Sequence, residues 1–141
     1  MQQFIEFIGN HYWLAGAWVA LFFAIVFGYI SANFSAVKEI STHDATLLIN
    51  KQDAVVVDIR PNAEFKKGHI LGAKNLKSEQ VQNAEFTSLE KHKNTPIIVV
   101  CAMGMTAKKT AAQMLKAGFS QVNVLKGGMN TWVGANLPVS K

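Results

Sequence analysis

Cysteine occurs once in the 141 residues, at position 101. A lone thiol excludes a disulfide within one copy of the chain and any Cys-rich zinc site, so a chemical role for Cys101 must rest on its surroundings. Charge is also scarce, at 16% of residues against 50% apolar, which excludes a disordered or fibrous chain. No internal repeat appears. Neither G-x-x-x-x-G-K-[ST] nor G-x-G-x-x-G is present, so nucleotide binding has no support. His11, His43 and His92 lack metal-ligand spacing, and neither a metal nor a cofactor is expected. The bases come in ones and twos (Lys66-Lys67, Lys91, Lys93, Lys108-Lys109) without interleaved aromatics, the pattern of a solvated surface and not of a nucleic-acid groove.

Basic residues are absent altogether before Lys38, although the chain holds 14 of them and a net charge of +5. What precedes Lys38 is apolar. Tyr12 to Ile30 reads YWLAGAWVALFFAIVFGYI, nineteen residues without a charge. At ~1.5 Å per helical residue this spans roughly 28 Å, close to the ~30 Å hydrocarbon thickness of a bilayer. Tyr12, Trp13 and Tyr29 stand where interfacial aromatics sit. A cleaved signal peptide would need a positively charged start, and a small soluble domain could not cover every side of such a helix. The sequence therefore divides into a short N-terminal tail (1–11), a transmembrane helix (12–30), a linker (31–38), a globular domain (39–138) and a C-terminal tail (139–141). Lys38, Lys51 and Arg60 follow the span, so the positive-inside rule places the C-terminal domain in the cytoplasm. Gly16, Ala20, Ala24 and Gly28 form a stripe of small residues at four-residue intervals, which permits close approach of a membrane-protein partner's helix.

The remaining hundred or so residues alternate strand and helix. Ser41-Thr42-His43-Asp44 reads as a helix start, with Ala45, Leu48 and Ile49 as its apolar stripe. Ala54–Val57 and Pro96–Val100 are short apolar runs bounded by polar residues, as in strands buried on both faces. Pro61–Lys67 predicts a short helix, Ile70–Leu76 a short strand, and Glu85–Leu89 a short helix within a polar stretch. Ala107, Ala111, Met114 and Leu115 keep helical spacing until Gly118. Val122–Leu125 is a last strand, Gly127-Gly128 a turn, and Met129–Gly134 a short helix with Trp132 in the core. The alternation implies an α/β fold with a mostly parallel sheet flanked by helices, on which ligands bind beyond the carboxyl ends of strands.

Cys101 stands at such an end. By residue type alone it could be a small buried hydrophobe. Its position between a buried strand and a helix start, with Gly104 to let the backbone approach, favours chemistry instead. Main-chain N–H groups in such a loop have no helical partner, and with the helix macrodipole they favour a thiolate or any negative group attached to the sulfur.

These residues fall into an ordered set of motifs. Asp58-Ile59-Arg60, Glu64-Phe65 and Gly68-His69-Ile70-Leu71-Gly72-Ala73-Lys74-Asn75 are followed by the Cys101–Thr106 loop, then Gly118-Phe119, Gly127-Gly128 and Trp132. In this order and spacing the chain resembles the rhodanese-like sulfurtransferases over roughly Glu39 to Pro138, and a single span before the domain is similar to membrane-anchored members of Gram-negative bacteria. The resemblance implies a five-stranded α/β domain at the inner membrane. It implies a nucleophile, Cys101, that accepts sulfane sulfur as a persulfide and passes it to a thiol or other acceptor. It further implies an anion-binding loop formed by Ala102, Met103, Gly104, Met105 and Thr106. The usual members carry Arg or Lys in this loop, and here there is none, so the sulfur donor is either thiosulfate or a protein persulfide, with Lys108 and Lys109 as substitute cations. Cysteine phosphatases need C-x5-R, and position 107 is Ala, which argues against phosphate chemistry.

Asp58, Arg60, Glu64 and His69 read as structural fasteners, with Asp58 and Arg60 pairing with each other's neighbours or with Glu64. Two functions remain open at this point: a membrane-tethered sulfurtransferase, and a non-catalytic binding module that recruits a membrane-protein partner.

Overall fold

The computed structural model describes residues 1–34 and 37–141, with side chains throughout except at 30–34. Part of the linker expected over 31–38 therefore lies outside the described residues. The chain forms two compact units, Met1–Ala36 and Val37–Lys141.

The first unit is helical. Helix α1 (Gln2–Asn10) occupies the stretch read as a tail. Phe4, Phe7 and Ile8, at helical spacing, share a groove of about 440 Å³ with His11, Leu14, Ala15 and Trp18. Helix α2 (Tyr12–Phe34) is longer than the apolar run because its last turn continues into polar residues. Its Tyr12–Tyr29 window has a mean hydropathy of 1.7 and none of it is buried, so by length and composition it can cross a membrane.

The second unit is built on strands β1 (Lys38–Ile40), β2 (Val55–Asp58), β3 (Lys74–Asn75), β4 (Ile97–Val100) and β5 (Val122–Leu125). They lie in the order β1-β5-β4-β2-β3, and every pair is parallel. Strand β1 is the one strand not read directly from residue pattern. Lys38 and Glu39 are exposed and only Ile40 is buried, as suits an edge strand. The helices are α3 (Thr42–Gln52), α4 (Asn62–Lys67), α5 (Ser78–Gln82), α6 (Met105–Lys116) and α7 (Gly128–Gly134). The polar stretch forms α5 and then a 3-10 turn at Thr87–His92, where a short helix around 85–89 was expected. Ser41 caps α3 by accepting the Asp44 N–H at 3.1 Å, so the helix starts where the Ser-x-x-Asp pattern put it.

Strands β4 and β5 are buried at every position, which explains the unbroken apolar run of β4, while β5 holds one buried polar residue, Asn123, whose side-chain amide donates to Ile97 O at 3.4 Å. Alternate residues serve opposite faces. Ile97, Val99 and Cys101 join Val57, Val124, Ala107, Ala111 and Met114 on the α6 side. Ile98 and Val100 join Ile40, Ala45, Met129 and Trp132 on the other. The pleat thus turns Cys101 toward the face covered by α6.

Candidate active site

Cys101 follows β4 directly and is 7% exposed. Both neighbouring peptides are pinned. Ile59 N–H donates to Val100 O at 2.9 Å, and Met129 N–H donates to Cys101 O at 2.8 Å. Asn130 N–H adds a bond to Ala102 O at 3.1 Å. The backbone carrying the thiol is therefore held between β2 and the first turn of α7, and the carbonyls of Val100, Cys101 and Ala102 are all engaged.

The loop reverses at Gly104, whose φ of 91° lies in the left-handed region. This turn directs the Gly104 N–H at Cys101 Sγ, at 2.9 Å. A Cβ here would also sit 3.2 Å from Gly127 N and 3.3 Å from Leu125 O, so glycine is required on two counts. Gly104 is the N-cap of α6 and has no side chain to cap it. The first-turn amides of Met105, Thr106 and Ala107 consequently lack intrahelical acceptors. Among the described residues, Ala102 and Met103 likewise donate no backbone hydrogen bond. Met105 and Thr106 belong to α6 itself, so the free loop is shorter than the six residues expected, and its second part is a helix N-terminus. The macrodipole of this 12-residue helix adds positive potential at the same end.

The side chains of the loop itself, Ala102, Met103, Met105 and Thr106, carry no charge. Ala102 is half-buried and Gly104 buried, while Met103, Met105 and Thr106 are exposed. Lys108 is tied to Glu39 of β1 at 2.5 Å, on an exposed surface. Lys109 is exposed on the same helix.

Asp58 and Arg60 are placed at the end of β2, beside β4. They pair with one another, where pairing with neighbours or with Glu64 was expected. Arg60 donates from Nε and a terminal nitrogen to both Asp58 carboxylate oxygens, at 2.7 to 3.1 Å, and from its backbone N–H to Oδ1 at 2.9 Å. The guanidinium also reaches Gly68 O at 2.8 Å. Asn75 closes the turn by donating to Asp58 O and Arg60 O. His69 stacks on Phe65 with centroids 3.9 Å apart and its Nδ1 lies 2.9 Å from Phe65 O, while its backbone pairs with Ser140. Glu64 is exposed and lines a groove of about 340 Å³ with Arg60, Lys67, Met129, Val133 and Val139. None of these four side chains bonds Cys101. Among the described residues, no group of three His, Cys, Asp or Glu side chains converges on a metal position.

Two features were missed in the sequence. Glu39 as a partner of Lys108 was hidden because β1 was not read as a strand. Gly128 was read as a turn residue only, yet a Cβ on it would overlap Cys101 O and approach Ala102 O to 2.7 Å, which makes it the floor of the loop.

The geometry has relatives. YibN of Escherichia coli K12 is 45% identical over 139 residues, covering 99% of this chain and 97% of YibN. The thiosulfate sulfurtransferase GlpE of Pseudoalteromonas translucida is 35% identical over 100 residues, covering 71% of this chain and 92% of GlpE. Among solved structures, the rhodanese-like domain of the Anabaena protein Alr3790 superposes with a TM-score of 0.54 at 29% identity, covering 62% of this chain and 98% of that domain. The family model for the rhodanese-like domain matches residues 41–135, which spans every strand from β2 to β5 and the whole Cys101 loop. With its five parallel strands and its cysteine at the end of β4, the chain belongs to the rhodanese-like domain family.

Proposed function

We propose that this chain is a sulfurtransferase tethered to the inner membrane by α2, with its globular unit in the cytoplasm and Cys101 as the sulfur carrier. One observation carries the reading: the Gly104 N–H donates to Cys101 Sγ at 2.9 Å at the uncapped N-terminus of α6. A sulfur held this way needs no side-chain base, because main-chain dipoles stabilise its anion. The activity named for the GlpE relative supports the reaction class.

The transfer divides into two displacements. Cys101 thiolate attacks the outer sulfur of the donor, the donor's sulfur–sulfur bond breaks, and its electron pair leaves on the departing group. That group is sulfite from thiosulfate or a thiolate from a persulfide. The new Cys101 persulfide carries its negative charge on the outer sulfur, where the amides of Ala102 through Thr106 frame it. An acceptor thiolate then attacks that outer sulfur and Cys101 leaves as thiolate, which the Gly104 N–H receives. The cycle consumes no oxidant or reductant.

The test is sulfur transfer from a sulfane donor to a thiol acceptor, comparing the full chain with Cys101→Ser. Loss of transfer at unchanged thermal stability supports the carrier role, and unchanged transfer overturns it. A second reading, a tethered binding module, draws support from the small-residue stripe of α2, where a Cβ on Gly16 or Gly28 would meet nothing within 4 Å. It predicts that partners are retained when Cys101 is replaced by Ala.

A further inference from the structure

We infer that the sulfur donor is a cysteine persulfide carried on another polypeptide and flanked by apolar residues, and that Met103 and Met105 are the residues that select it. The inference rests on the sulfur-carrier role proposed for Cys101.

The two methionines flank Gly104, the residue whose N–H contacts Sγ. Met103 is 62% exposed and Met105 79% exposed, beside a thiol that is 7% exposed. Large apolar side chains at such exposure add nothing to the core, whereas flexible thioethers suit contact with a varied apolar partner. Charge points the same way. The loop has no cation of its own, and Lys108 is engaged by Glu39. A small dianion such as thiosulfate therefore meets main-chain dipoles but no charge from the side chains of the loop itself, the exposed Lys109 lying beyond it on α6. Free cysteine persulfide and glutathione persulfide carry carboxylates, which two thioethers do not reward. Apolar surface next to a persulfide is supplied by a polypeptide segment.

The step balances within the proposed chemistry. Cys101 thiolate attacks the outer sulfur of the donor Cys–S–S⁻, the bond between the two donor sulfurs breaks, and the donor cysteine departs as thiolate with the electron pair. The outer sulfur remains on Cys101.

The experiment uses the full chain in lipid nanodiscs and follows the initial rate of sulfur addition to Cys101 by mass spectrometry. The probes are thiosulfate, glutathione persulfide, a synthetic peptide whose cysteine persulfide is flanked by leucines, its serine-flanked counterpart, and inorganic polysulfide. The leucine-flanked peptide is expected to load Cys101 about tenfold faster than the serine-flanked one, the factor that burial of modest apolar surface supplies. Thiosulfate and glutathione persulfide are expected to be slower still. The ratio between the two peptides should fall to near one in Met103→Ser/Met105→Ser and persist in Met103→Leu/Met105→Leu. Equal loading from the two peptides, fastest loading from thiosulfate, or a preference that survives the serine variant would each overturn the inference. Loading by polysulfide in those cases leaves the carrier role of Cys101 standing, whereas failure of every probe, polysulfide included, removes both.

Discussion

Gly128 packs beneath the carbonyl of Cys101 so closely that a side chain there would overlap Cys101 O and lie 2.8 Å from Ala102 C. Its φ is 61°, and its successor Met129 donates its N–H to the same Cys101 oxygen. The fold thus fixes the backbone of Cys101 from below, through a glycine on a different element.

Gly128→Ala should therefore damage both folding and transfer. The left-handed φ alone costs an alanine roughly 1 to 2 kcal/mol, and the overlap with two carbonyls adds to it. Gly134→Ala, in the same helix, is the control, because a Cβ there meets nothing within 4 Å. Urea denaturation should show Gly128→Ala destabilised by about 2 kcal/mol or more while Gly134→Ala stays within about 1 kcal/mol of the parent. The transfer rate should fall at least tenfold in Gly128→Ala alone.

Asp58 is 1% exposed, and the Arg60 it holds is 10% exposed at its side chain. Replacing Asp58 by Asn leaves a guanidinium without its counter-charge at the end of β2. Breaking one partner of such a pair costs about 3 kcal/mol, which denaturation midpoints will register. Lys108→Ala is the contrasting case. Its bond to Glu39 joins side chains 54% and 38% exposed, and a pair of that kind contributes at most about 1 kcal/mol. Its removal should leave the midpoint nearly unchanged.

Tethering and orientation are open to direct measurement in cells. The full chain should stay with the membrane fraction through alkaline extraction, because α2 presents an unburied apolar window of mean hydropathy 1.7. A membrane-impermeant thiol reagent should label Cys101 only after lysis. Extraction into the soluble fraction would contradict the anchor, and labelling of intact spheroplasts would contradict the cytoplasmic orientation.

The strands that fill the sheet centre were legible because burial on both faces leaves an unbroken apolar run, as in Val55–Val57 and Ile97–Val100. The edge strands left a fainter trace: Lys74-Asn75 falls inside the short strand expected over Ile70–Leu76, but Lys38-Glu39 carries polar side chains at the rim and is a strand only by pairing with β5. Helix α1 was passed over because its apolar residues are interleaved with Gln, Glu and Gly, so no continuous run announced it. At the site, Cys101 and Gly104 were evident from the strand end and the glycine. The capture of Lys108 by Glu39 and the seat of Gly128 against Cys101 depend on contacts between elements far apart in sequence, which local pattern does not encode, whereas Asp58 and Arg60 are only two residues apart and their pairing is set by how the chain turns after β2.

The central claim is that Cys101 takes up sulfane sulfur within its main-chain cradle. Intact-mass spectrometry of the full chain after incubation with inorganic polysulfide tests it most directly. The prediction is one added sulfur atom located on Cys101, released by a thiol acceptor and absent from Cys101→Ser. An unmodified wild-type mass, or sulfur that persists on the serine variant, would contradict the account.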